Sequence, residues 1–359
     1  MEQQTVPREA APSVARQPAS PGRGLGRDAF FDNAKYLTIL LVGCGHAWEP
    51  LTYDSRAVRA LYLLVYAFHM PAFALVSGYF SRTFDASPGR VRRLVTGVAV
   101  PYAVFEIAYT LFYRWAGHDP DYPFSLLDPW YLMWFLLALF VWRLTTPLWL
   151  ALRHPVPVAL GVAALASMSP ATGGDLGLQR VLGFLPCFVL GLVLRPEHFA
   201  RLRTRAVRGA ALVVFPLALA GTYLLSPRLD TEWLYHRSPV TDIGVPGWAG
   251  LLSTPVLFGL AVLLTGCFLA WVPGRRLWCT ALGAGTVYAY LLHGFVIKAS
   301  RYWGWYDHGW VHGPLGELAV TAAVLTLMTA LCTVPVRRLL RVVVEPPLTR
   351  VFRSVPRRT

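Results

Sequence analysis

Long apolar runs, separated by short arginine-rich or aromatic stretches, recur along the chain. Runs long enough to cross a hydrocarbon core about 30 Å thick as a helix fall at approximately 34–52, 58–80, 94–113, 130–150, 156–169, 180–194, 209–225, 248–271, 286–300 and 315–336. The fifth, sixth and ninth are the short ones. This pattern predicts an all-α, polytopic membrane protein with about ten transmembrane helices. The first run, "FFDNAKYLTILLVGCGHAWEP", is unusual: an acid and a lysine precede its apolar centre and a histidine closes it.

Composition supports the membrane reading. Of 359 residues, 55% are hydrophobic and 14% charged, and the mean hydropathy is +0.46, too apolar for the surface of a soluble domain of this length. Residues 1–29 are rich in Pro, Ala, Gly and Arg and carry no hydrophobic stretch. They are expected to form a disordered cytoplasmic tail and not a signal peptide, followed by a membrane domain over 30–347 and a basic cytoplasmic tail over 348–359. Five cysteines stand singly in or beside apolar runs without a C-x-x-C pair, so neither a disulfide framework nor a metal site is expected.

Charge sets an orientation. With the N-terminus inside and ten spans, 25 of the 33 basic residues fall on the cytoplasmic side and eight outside, the asymmetry that the positive-inside rule expects. Both termini are then cytoplasmic, in the cell (cytoplasmic) membrane. The net charge of +14 is spread over the inner loops instead of forming a stripe, so the bilayer and its anionic headgroups are the expected partners and nucleic acid is not. The opposite loops, 118–130, 226–242 and 301–313, are aromatic, acidic and histidine-containing, suited to an interfacial aromatic belt or to stacking on sugar rings.

The first span aligns its polar residues. Lys35 and His46 are eleven residues apart, about 20° past three full turns and about 16 Å along a helix, so they share a face. Asp32 joins that face if the helix extends back to it. His46 then lies past the midplane while Lys35 stays at the boundary. Ionisable groups inside a membrane are costly and mark functional sites. Lys35 is also one of only two lysines beside 31 arginines.

The second span, "YAFHMPAFALVSGYFSR", carries His69 just before Pro71, which is expected to kink the helix, and then Ser77, Gly78 and Tyr79. Glu106, Arg143 and His293 are further polar candidates within spans. His293 and Lys298 are five residues apart, about 140° around a helix, and so do not share a face. Neither a G-x-S-x-G elbow, nor a phosphate-binding P-loop, nor H-E-x-x-H is present.

These residues resemble the acyltransferase-3 family of integral-membrane acyltransferases, in particular its fucose 4-O-acetylase-like branch. The resemblance rests on "RDAFFDNAKYLTILLVGCGHAWEP", "FHMPAFALVSGYFSR", "PWYLMWFLLALFVWRL", "VYAYLLHGFVIK" and "VVVEPP", from residue 27 to about 347. It implies ten helices and transfer of an acyl group, commonly acetyl from acetyl-CoA as co-substrate with no bound cofactor, to a hydroxyl of a sugar, glycan, lipid-linked or small hydroxylated acceptor. In the family an Arg-x10-His pair on the first span is linked to activity; here Lys35 stands at the arginine position. The resemblance thus implies His46 as general base, acting directly or through an acyl-histidine, with Asp32 and Lys35 beside the donor. Arg82, Arg90, Arg92 and Arg93 would join Lys35 in binding the donor. His69, Ser77, Tyr79, Glu106, Arg143 and His293 would line the acceptor tunnel. The competing class is a glycan or lipid transporter or flippase using His46, His69, Glu106 and His293 as a path; a non-catalytic membrane partner is a third.

Overall fold

The computed structural model describes residues 28–170 and 175–346, with the backbone alone at Asp175. The tails expected over 1–29 and 348–359 lie outside the described residues, except that Asp28 caps the first helix and Ala29 begins it. The helices are α1 (Ala29–Trp48), α2 (Arg56–Tyr66), α3 (His69–Ser81), α4 (Pro88–Leu94), α5 (Val100–Ala116), α6 (Trp134–Leu144), α7 (Thr146–Ala151), α8 (Pro155–Met168) and α9 (Leu178–Gly183). They continue as α10 (Leu185–Val193), α11 (Pro196–Leu202), α12 (Arg205–Leu225), α13 (Glu232–Tyr235), α14 (Ala249–Trp271), α15 (Thr286–Tyr302), α16 (Pro314–Leu331) and α17 (Val334–Val344). Every apolar run contains a helix, and the described residues contain no strand.

The protein is an all-α, multi-pass membrane protein. Five helical stretches are long and apolar enough to cross a bilayer: Arg56–Ser81, Pro88–Ala116, Arg205–Leu225, Ala249–Trp271 and Pro314–Leu331. Leu178–Val193 and Pro196–Leu202, bent by 103°, make a sixth if the pair is one span, and α6 and α8 are shorter apolar helices. The two central segments outside this set, α1 and α15, carry His46, His293 and Lys298. The periphery is the reverse: only 6% of the apolar window of α12 is buried, against 72% for Arg56–Ser81, so α12 offers its surface to lipid.

α1 begins where its sequence directs. The Asp28 carboxylate accepts from Phe30 N at 2.9 Å, an N-cap, and Asp32 lies in the first turn, so the helix does extend back far enough for Asp32 to join Lys35. Asn33 then fastens this end. Its side chain donates to the carbonyls of Pro273 (2.7 Å) and Arg275 (3.0 Å) and accepts from Thr280 Oγ1 (2.7 Å). Farther along, Tyr36 bonds Thr329 at 2.9 Å and Trp48 Nε1 donates to Thr321 at 2.9 Å, tying α1 to α16. Met328 and Val324 of α16 pack in one apolar core with Ile39, Val42 and Cys44 of α1.

The break in the second span is not at Pro71. The chain turns at Ala67 and Phe68, and Pro71 lies in the first turn of α3, where its missing N–H leaves no intrahelical bond unmade. The Val65 carbonyl is taken up by Phe68 N (3.1 Å) and by the His69 ring (2.8 Å). Gly78 does allow close packing. A Cβ there would stand 2.0 Å from the Phe188 carbonyl oxygen, and one at Gly191 would stand 2.0 Å from that of Leu75, so α3 and α10 cross backbone to backbone.

Candidate active site

The last turn of α1 faces a cavity of about 200 Å³ lined by His46, Glu49, Tyr66, His69, Tyr131 and Lys298, with Trp134, Arg180, Phe184, Tyr235 and Arg237 completing its wall. Helix C-termini leave carbonyls unpaired, and here other elements supply the donors. Arg301 Nη2 reaches the His46 carbonyl at 2.7 Å and Glu49 Oε2 at 2.9 Å, and Tyr306 donates to the Ala47 carbonyl at 2.8 Å. The backbone that carries His46 is thereby fixed from α15 and from the loop after it.

A second histidine fixes the imidazole. His293 is fully buried; its Nδ1 lies 2.8 Å from the Ala289 carbonyl and its Nε2 lies 3.2 Å from His46 Nδ1. A carbonyl oxygen only accepts, so the proton of neutral His293 is on Nδ1 and its Nε2 must accept. His46 therefore donates from Nδ1, which leaves the lone pair on His46 Nε2 for chemistry. The same reasoning applies to His69, 1% exposed, whose Nδ1 donates to the Val65 carbonyl at 2.8 Å. The Tyr66 ring meets His69 edge-on at 4.7 Å.

Tyr131 faces His46, with ring centroids 4.9 Å apart. Its backbone has φ 52°, a left-handed conformation that costs a non-glycine residue on the order of 1–3 kcal/mol. Just before it, both carboxylate oxygens of Glu106 accept from Trp130 N, at 2.9 and 3.0 Å. The Tyr131 hydroxyl is shielded from solvent and has no hydrogen-bond partner among the described residues. The Lys298 ammonium lies over this ring, 4.2 Å from its centroid, and 5.3 Å from that of Trp130.

The far wall comes from the loop between α12 and α14. Glu232 and Arg237 form a two-bond ion pair, and this carboxylate holds the guanidinium above its ordinary pKa. His236, with φ 49°, packs against Phe184 at 4.9 Å. Burial, and then the nearby charge of Arg180, push its pKa down to about 4.

The other end of α1 is built differently. Lys35 pairs with Asp32 at 2.7 Å, and its ammonium lies 5.8 Å from the Phe80 ring centroid. Phe80 in turn borders a cavity of about 230 Å³ lined also by Ser81, Thr83, Phe84, Arg90, Arg93, Leu94 and Arg143. Arg143 Nε donates to Ser81 Oγ at 3.0 Å. The Arg82 guanidinium lies on the Tyr79 ring at 3.9 Å, and Tyr79 stacks on Phe31 at 4.8 Å.

Two sites thus divide the expected residues. His46, His69 and His293 come together at one. Arg90, Arg93 and Arg143 line the other, with Arg143 among the expected donor-binding cations and away from the histidines; Lys35 does not line it and approaches only the Phe80 ring at its border. Ser77 and Tyr79 do not line the histidine cavity, Arg82 and Arg92 do not line the basic one, and Glu106 acts on the first through the backbone before Tyr131. Lys298 lines the histidine cavity, its ammonium over Tyr131, whereas His293 does not line it and acts from behind through its bond to His46. Sequence reasoning passed over Tyr131, Arg180, Arg237 and Lys298. For Lys298 a signal existed: it is the other lysine of an arginine-rich chain.

Residues 28–337 match the acyltransferase-3 family model, described as "Acyltransferase domain". The chain is 26% identical over 309 residues to "Nodulation protein NolL" of Sinorhizobium fredii (strain NBRC 101917 / NGR234), covering 80% of this chain and 83% of that protein. No solved structure matches the chain. The chain belongs to the acyltransferase-3 family and is a membrane O-acyltransferase.

Proposed function

We propose that the protein transfers an acetyl group from acetyl-CoA to a hydroxyl of a carbohydrate-containing acceptor, with His46 as general base. The observation that carries this reading is the hydrogen-bonded chain from the Ala289 carbonyl through His293 to His46, which leaves His46 Nε2 unprotonated at a cavity. His46 Nε2 takes the acceptor hydroxyl proton as the oxygen attacks the thioester carbonyl. The new C–O bond forms and the negative charge moves to the carbonyl oxygen, where the otherwise unpartnered Tyr131 hydroxyl donates. The C–S bond then breaks, and the departing thiolate recovers the proton from His46. The products are the ester and free CoA. His293 positions the base and holds the tautomer this sequence of steps needs.

The donor phosphates sit at the opposite end of α1, among Lys35, Arg90, Arg93 and Arg143, and the acyl-bearing arm extends toward His46, about 16 Å along the helix. The aromatic wall of Tyr66, Tyr131, Trp134, Phe184 and Tyr235 supports an acceptor with a sugar ring. The positive-inside distribution supports a topology of about ten spans with both termini and the donor end on the cytoplasmic side of the cell membrane.

The test is transfer of label from acetyl-CoA in membranes containing the protein or its His46→Ala variant at matched amounts, offered a glycan and metabolite extract. Acetylation of an extract component by the unaltered protein alone is expected. Equal labelling by both would remove His46 from the reaction. No acetyl-CoA consumption, with gradient-dependent movement of a glycan or lipid, would make the protein a transporter.

A further inference from the structure

The cations around the histidine cavity carry an inference about the acceptor, one that rests on the transfer reaction proposed above. Eight basic residues lie outside the cytoplasmic set: Arg56, Arg59, Arg114, Arg180, Arg228, Arg237, Lys298 and Arg301. Arg56, Arg59 and Arg114 are spent on backbone carbonyls, at Tyr223, Ser226 and Tyr122 among others. Arg180, Arg237 and Lys298 line the cavity, and Arg301 bonds the His46 carbonyl at its edge. Orientation in the bilayer does not account for this cluster, because it lies on the side where the positive-inside rule thins out cations.

Charge bookkeeping at the cavity leaves a surplus. Glu49 is paired with Arg301 at 2.9 Å, and Glu232 with Arg237. Arg180 and Lys298 have no ion pair among the described residues. Their cationic groups rest on aromatic faces instead, Arg180 at 5.4 Å from the Trp134 ring centroid and Lys298 at 4.2 Å from that of Tyr131. Cations withdrawn from water are costly unless a counter-charge accompanies them. The nearby imidazole of His236, kept neutral by its burial, supplies none.

We infer that the acceptor is anionic: a hydroxylated ring bearing a carboxylate or phosphate, which Arg180 and Lys298 hold while aromatic side chains flank the ring. Arg180 can engage either group with two parallel N–H bonds, and Lys298 adds a point charge on the Tyr131 side. Binding the anion would bring the acceptor hydroxyl to His46. The same anion would exclude neutral sugars of similar shape, which leave both cations uncompensated.

Binding and transfer are read separately. In the binding arm, full-length His46→Ala protein in nanodiscs is titrated with methyl glucuronide, glucose 1-phosphate and neutral methyl glucoside, followed by tryptophan fluorescence, Trp134 being beside Arg180. A charged probe is expected to bind about 10-fold to 100-fold more tightly than the neutral one. The uronate and the sugar phosphate distinguish the two sources of charge. Arg180→Gln is expected to abolish this preference and Arg180→Lys to restore part of it; Lys298→Gln, at a less buried position, checks the result should Arg180→Gln fail to fold. Equal binding of charged and neutral probes, or a preference that survives both Gln variants, would overturn the proposal. In the transfer arm, Arg180→Gln in protein retaining His46 should raise the acceptor KM and not the acetyl-CoA KM. A rise in the acetyl-CoA KM alone would assign these cations to the donor and overturn the proposal. Charge-selective binding without acetyl transfer to any probe or extract component would support the anion subsite while refuting the transfer chemistry.

Discussion

The two ends of α1 carry ionisable residues on one helical face, but they hold them in opposite ways. At the Lys35 end charge is plentiful: Arg90, Arg93 and Arg143 share a cavity wall, and Lys35 is half-exposed beside its Asp32 partner. At the His46 end the groups around the imidazole are each held by a specific partner: His293 on the Ala289 carbonyl, His46 on His293, Arg301 on the His46 carbonyl and Glu49. On the reading proposed above, the difference follows from two tasks. Holding a polyanion needs several positive charges at roughly the right place. Moving a proton needs one lone pair at a defined position. Substitutions at the two ends should therefore fail in different ways.

The largest expected effect is at His46. His46→Ala removes the base and should lower kcat by about 10²-fold to 10⁴-fold with the protein still accumulating, measured as labelled acetyl transfer at matched expression. Tyr131→Phe comes next, removing one hydroxyl and almost no volume. If that hydroxyl meets the developing oxyanion, kcat should fall by about 10²-fold while both KM values hold. A normal kcat would mean the unpartnered hydroxyl serves something else. His293→Leu should follow, with kcat down by about 10-fold to 100-fold, because the imidazole of His46 is no longer held in one tautomer. His293→Gln keeps an acceptor for the His46 Nδ1 proton and should recover part of that loss. A merely packing role for His293 would instead favour Leu over Gln, and thermal unfolding of the three proteins would show it.

How much of this was legible in the sequence depends on whether the signal is periodic. The all-helical architecture follows from apolar runs, and the shared face of Asp32, Lys35 and His46 follows from helical geometry, since α1 runs unbroken from Ala29 to Trp48. The break before His69 was legible only in part. Pro71 marked the place, but the chain turned ahead of it so that the proline could sit in a first turn. Tyr131 gave no periodic signal at all. Its place at the cavity goes with a left-handed backbone that a tyrosine does not advertise, next to Trp130, whose N–H bonds the Glu106 carboxylate from 24 residues earlier in the chain. Arg180 and Lys298 were hidden for another reason. A helical wheel describes one helix, whereas their common cavity is enclosed by six separate segments of the chain.

The smallest expected effect tests the other end of α1 and with it the contrast between the two. Lys35→Gln removes one cation among several, so kcat should not change, and the acetyl-CoA KM should rise by about 3-fold to 10-fold and do so less at high salt. The Asp32 carboxylate sharpens the expectation. It is 6% exposed and 2.7 Å from the lysine ammonium, so Lys35→Gln takes one cation from beside that carboxylate, whose charge then repels donor phosphates bound as proposed more strongly. The double variant Asp32→Asn, Lys35→Gln removes that repulsion and should bind acetyl-CoA better than Lys35→Gln alone, a non-additivity expected of two groups in contact. If the pair only anchors the start of α1, the single and double variants will share the native KM and differ in thermal stability instead. Donor binding would then rest on Arg90, Arg93 and Arg143, and the alignment of Lys35 with His46 would be a matter of helix anchoring.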